Sequence, residues 1–196
     1  MTEQLETPAD AALRLRAAVQ ALRAPQAAQR APAPRSSVFG RAAAAFPGDT
    51  HSPVDRTVLT ARLRSVETSA LLPGTTLALM VVPSPAVAAD LAASCDQLVR
   101  GGATVVLLGP DLPRRVSDRS QPLTVPLRAD DSLADEWGLL ACGPARRIAF
   151  LARREADGTD RWSWLITRDP VAVQRAGTAI LERVPFLRLR VPLLGS

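Results

Sequence analysis

Apolar residues recur every three or four positions in the first third of the chain and in short unbroken runs after it. Residues 10–24, "DAALRLRAAVQALRA", place Ala12, Leu15, Val19 and Leu22 on one helical face, with Arg14, Arg16 and Arg23 away from it. "PQAAQRAPAPR", residues 25–35, holds three prolines and little that packs, and reads as a linker. Residues 1–35 thus form an N-terminal amphipathic helix and Pro-rich linker, and residues 36–196 the main domain. "SSVFGRAAAAF" predicts a short helix capped by Ser36 or Ser37. "SPVDRTVLTARLRSVETSALL" predicts a longer one, with Ser52 at the N-cap, Pro53 at the first helical position, and Val58, Leu59, Leu63 and Val66 on its apolar face.

Beyond the Pro73-Gly74-Thr75 stop the period changes. "TTLALMVVP" and "ATVVLLGPD" read as buried strands, and "SPAVAADLAASCDQLVRGG" between them as a helix opened by Ser84-Pro85 and closed by Gly101-Gly102. Strand, helix, strand is a βαβ unit, so these two strands should run parallel with a right-handed crossover. "LTVPLR", "WGLLACGP", "RIAFLARRE" and "RWSWLITRD" follow too closely for intervening helices, beyond one turn over the acidic stretch, and are expected to pair partly antiparallel. "GPAR" (143–146) and "ADGTD" (156–160) read as hairpin turns. In "RWSWLITRD", Trp162, Trp164 and Ile166 face one way and Ser163 and Leu165 the other. Asp169 and Pro170 open a helix over "PVAVQRAGTAILERV", and "FLRLRVPLL" reads as a closing edge strand. The fold class is α/β: a mixed β-sheet with one parallel βαβ unit, flanking helices and the N-terminal amphipathic helix.

At 196 residues the chain is long enough to bury a core. No apolar run approaches the roughly 20 residues that span a bilayer, and no secretory signal is read at the N-terminus, so a cytoplasmic, non-membrane protein is expected. Net charge is +5 and every basic residue other than His51 is an arginine, because lysine is absent, as are asparagine and tyrosine. The arginines are scattered among 19 acids, whereas a nucleic-acid binder gathers its charge into a stripe. Cys95 and Cys142 lie in no CxxC or Cys/His cluster and read as buried reduced thiols.

Candidate chemistry is thin. His51 in the "GDTHSP" loop has no nucleophile signature beside it and reads as solvated surface. G-x-S-x-G, G-x-x-x-x-G-K-[ST] and G-x-G-x-x-G are all missing. "DDSLADEW" concentrates Asp130, Asp131, Asp135 and Glu136. If helical, it sets Asp131 beside Asp135 and Leu133 beside Trp137 at i, i+4. Two carboxylates can hold Mg²⁺ or Ca²⁺, but the alternating ligands and glycine of a calcium loop are missing. The expected reading is a solvated acidic turn, anchored by a buried Trp137, with no metal, cofactor or catalytic residue assigned.

The order of the segments also resembles a family. Arg64 to Glu67 leads to Leu72 through Thr75 and a strand; Gly109, Asp111, Leu112 and Pro113 end the next; Asp130, Asp131, Leu133, Glu136 and Trp137 lead to a strand ending in Gly143-Pro144; and Asp169 caps the last helix. From about residue 38 to 184 this resembles the DICT sensory domain of bacterial signalling proteins, with "MVVPSPAVAAD" departing from the aromatic, glutamine-containing segment associated with it. The resemblance implies a non-catalytic role in sensing a signal, through a small molecule or a protein partner. It marks Gly109, Asp111, Pro113, Asp131, Glu136, Trp137, Gly143, Pro144 and Asp169 as family-matching positions. The N-terminal helix is the expected surface for a partner or for self-association. An arginine-rich nucleic-acid binder is the alternative from another class, and an enzyme of unrecognised type a third.

Overall fold

The structure is a computed structural model, and it describes residues 37–115, 121–144 and 146–184. The N-terminal helix and linker, and the edge strand read in "FLRLRVPLL", lie outside these residues. The elements run in order: α1 (Val38–Ala45), β1 (Thr50–Asp55), α2 (Arg56–Ala70), β2 (Leu77–Val81), α3 (Pro85–Asp90), α4 (Ala92–Arg100), β3 (Thr104–Pro110), β4 (Leu123–Leu127), a 3₁₀ turn (Ser132–Asp135), β5 (Glu136–Gly143), β6 (Arg146–Arg154), β7 (Arg161–Thr167) and α5 (Pro170–Leu181).

Seven strands form one sheet in the order β1-β7-β6-β5-β2-β3-β4. β2 pairs parallel with β3, as the βαβ reading requires, and β3 pairs parallel with β4. The remaining pairs are antiparallel. The unbroken apolar runs are central strands buried on both faces, which is why they show no alternation. One face, carrying Leu79, Leu108, Leu140 and Leu165, packs under α1 and α5. The other, carrying Met80, Leu107, Trp137, Phe150, Trp162 and Trp164, packs under α2, α3 and α4. The alternation read in "RWSWLITRD" therefore holds: its tryptophans and Leu165 belong to opposite cores.

Two boundaries differ from the sequence reading. Ser52 and Pro53 do not open a helix, because "THSPVD" is edge strand β1. Its register shifts between His51 and Val54, which accommodates a proline that cannot donate to the ladder. Asp55 caps α2 instead, its carboxylate accepting from Val58 N–H at 2.9 Å. The helix from Pro85 divides at Leu91 into α3 and α4, which seats Val87 and Leu91 as well as Cys95 and Leu98 in the core. Ser37, Ser84 and Asp169 cap their helices as expected.

Candidate functional site

α2 and the α3–α4 pair cover one face of the sheet. α2 starts where β1 ends, crosses β7, β6 and β5, and delivers the chain to β2. The α3–α4 pair carries the crossover from β2 to β3. Between them lies a groove of about 450 Å³, lined by Arg56, Thr60, Leu63 and Arg64 of α2, by Val87, Asp90 and Leu91 around α3, and by Trp137. Trp137 places one end of it beside the carboxyl end of β2, where Val81 pairs with Gly138, and Glu67, Thr68 and Leu71 carry it along α2 to the other.

Trp137 sits in the second position of β5 and is 3% exposed. Its ring meets Trp162 edge-on with centroids 6.0 Å apart. Its indole N–H is fully buried and has no acceptor among the described residues. A buried donor left unpaired costs free energy. Glu67, on the groove wall, accepts the Ser94 hydroxyl and ties α2 to α4.

The neighbouring residue, Glu136, turns to the other face. It is 2% exposed, and its Oε2 accepts the Phe39 N–H of α1 at 3.0 Å. A carboxylate at a helix N-terminus is favoured by the unpaired N–H groups there. Burial nevertheless pushes its carboxyl up, opposed by the Ser37, Phe39 and Val38 donors and by Arg183. Asp131 caps the 3₁₀ turn through Leu133 N–H at 2.9 Å and lies 3.7 Å from the guanidinium of Arg183. Arg183 itself is buried beyond the end of α5 and donates to Ala179 O at 2.8 Å and Ser132 Oγ at 3.2 Å. These contacts lock the acidic turn to α1 and α5.

The solvated acidic turn is thus corrected in part. Asp130 and Asp135 are exposed, but Asp131 and Glu136 are buried because α1 and Arg183 receive them. Leu133 and Trp137 do not pair, since β5 begins between them and sends them to opposite cores. His51 lies on β1, not in a loop; it is exposed, with its ring stacked on Trp164 at 4.1 Å. Arg62, Arg153 and Arg154 lie over the rings of Trp164, Phe39 and Trp162, so their charge is held against the fold.

The other family-matching positions are structural. A Cβ on Gly109 would come within 2.7 Å of Val82 O, and one on Gly143 within 2.0 Å of the carbonyl oxygen of Gly74. Asp111 holds φ +55° where the chain leaves β3, and Pro113 O accepts the Thr124 hydroxyl. Pro144 is exposed at the β5–β6 turn, and Asp169 accepts from Ala172 N–H at 2.9 Å. Gly109, Asp111, Asp131, Glu136 and Trp137 gather at one end of the sheet, Gly143 and Asp169 at the other. Burial pushes the Cys95 thiol up to about 12 and the Cys142 thiol up to about 11, so both are held as thiols. Among the described residues no helix is long and apolar enough to cross a membrane. Comparison with family models, with curated proteins and with solved structures finds no match to this chain.

Proposed function

We propose that the chain is a regulatory domain of the DICT sensory type, which acts by binding a small-molecule signal and passing its occupancy to a protein partner, without catalysing a reaction. The observation that carries this reading is the α2–α3 groove walled by Trp137, whose buried indole N–H lacks an acceptor. A concave site of this size, in which charged and hydroxyl side chains stand beside Leu63, Val87 and Leu91, suits a small polar molecule. The motif order from Arg64 to Asp169 supports the family reading. The expected helix over residues 10–24, with its stripe of Ala12, Leu15, Val19 and Leu22, supplies the arm toward a partner or second copy.

The test is to incubate the full chain with extract from cells of its host, remove free solutes, denature the protein and identify what is released by mass spectrometry. The reading expects one compound per chain, chemically unchanged from the extract. Steady conversion of an extract compound by the purified protein would contradict it.

A further inference from the structure

Three charged side chains are buried among the described residues, and their signs do not balance: Asp131 and Glu136 stand against Arg183 alone. Arg183 lies 3.7 Å from Asp131, and its charge also reaches Glu136. One guanidinium thus serves two buried carboxylates.

Glu136 is the less well served of the two. Its Oε2 accepts the Phe39 N–H at 3.0 Å, and the Ser37 hydroxyl and Val38 N–H face it as well. Its Oε1 is buried with no hydrogen-bond partner among the described residues. The surrounding charges do not make up the difference. Arg153 lies opposite Glu136 in the β5–β6 ladder, but it is exposed, its guanidinium sits over the Phe39 ring, and it forms no ion pair with Glu136. Arg41 of α1 pairs with Glu182, and Arg128 pairs with Asp130. Asp135 is exposed and adds only negative charge. A buried carboxyl short of partners favours its neutral form, and burial pushes this one up. The neutral carboxyl still accepts the Phe39 N–H through its carbonyl oxygen.

α1 is the lid over this carboxyl and the more lightly held of the two helices on its face. It buries Val38, Phe39 and Ala42, whereas α5 buries seven residues. Elements with few buried contacts open first. Opening α1 returns Glu136 to water, where its charge is solvated.

We propose that Glu136 is a proton-sensitive latch on α1: α1 stays docked on the sheet while the carboxyl is neutral and lifts away when it ionises, taking with it residues 1–36, which enter the domain through α1. Docking is then full below the ordinary carboxyl range and is lost as pH rises through the folded value of Glu136. Between the two, each opening releases one proton, so opening increases about tenfold per pH unit. The latch lies on the face opposite the α2–α3 groove and does not depend on what that groove binds.

Hydrogen exchange of the full chain, followed by mass spectrometry from about pH 4.5 to about pH 8, tests this above the ordinary glutamate value of about 4.3. Rates are divided by the intrinsic exchange rate at each pH. Protection of residues 38–45 should fall about tenfold or more across the range, while that of residues 92–100, on the other face, stays constant. Glu136→Gln, which keeps an acceptor and cannot ionise, should hold protection of 38–45 level with pH. Asp131→Asn, which can still accept the Leu133 N–H and leaves Arg183 to Glu136, should shrink the fall severalfold. Circular dichroism at each pH establishes that the variants are folded; the wild-type profile and Asp131→Asn decide the matter even if Glu136→Gln does not fold. Protection of 38–45 that is constant in wild type, an undiminished fall in Glu136→Gln, an equal fall in residues 92–100, or a larger fall in Asp131→Asn would each overturn the latch.

Discussion

Trp137→Ala removes one of the larger side chains of the core on the α2 face. The tryptophan is 3% exposed. Truncation to alanine takes about 150 Å² of buried apolar surface from the folded state, and at about 25 cal/mol per Å² this costs about 4 kcal/mol. The edge-on contact with Trp162 adds about 1 kcal/mol. Against this stands the buried indole N–H, whose removal relieves about 1–3 kcal/mol of unpaired-donor cost. The net loss is about 3 kcal/mol, at the lower end of the range for buried tryptophans. For a chain of this length that lowers Tm by about 6–12 °C. Trp137→Phe keeps most of the surface and loses the unpaired donor, so its cost should stay below about 1.5 kcal/mol. Chemical denaturation and calorimetry of both variants measure these values. An alanine variant within about 0.5 kcal/mol of wild type would refute the reasoning, since it would make Trp137 an exposed recognition residue rather than the wall of a packed groove.

Gly143→Ala should cost more than about 2 kcal/mol, because its Cβ would come within 2.0 Å of the Gly74 carbonyl oxygen; denaturant titration reads this directly. Glu136 has a carboxyl raised by burial, so its contribution to stability is full below the unfolded carboxyl range and is lost as pH rises through its folded value. Glu136→Gln, which can still accept from Phe39 N–H, should therefore gain on wild type as pH rises from about 4 to 7; a stability difference that stays flat with pH would contradict this. Cys95 and Cys142 should resist a thiol reagent at pH 8 in the folded protein and react once it is unfolded in denaturant, because burial raises both thiols.

The central strands were legible because a run such as "TTLALMVVP" has no polar face to show, and the caps at Ser37, Ser84 and Asp169 because their signals are local. β1 was not legible. Ser52-Pro53 carries the chemistry of a helix start, and only pairing with β7, more than a hundred residues away, makes it a strand. Glu136 looked solvated for a similar reason: the N–H it receives comes from a helix 97 residues earlier. The groove draws on three elements with no shared motif. One signal did point to it, the i, i+4, i+8 line of Arg56, Thr60 and Arg64 beside the apolar stripe of α2. The decisive feature, an indole N–H without an acceptor, belongs to packing and has no trace in sequence.

Three tryptophans give the chain three indole N–H signals. Trp162 already donates to Asp160 at 3.2 Å, whereas the N–H groups of Trp137 and Trp164 lack acceptors among the described residues. The ¹⁵N–¹H correlation spectrum, with each signal assigned by substituting phenylalanine in turn, reads them separately. On addition of the compound released from the host extract the Trp137 signal should shift as the groove beside its ring fills, with the Trp164 signal unmoved. A Trp137 signal that stays in place while the compound binds would contradict the assignment of the groove as the ligand site.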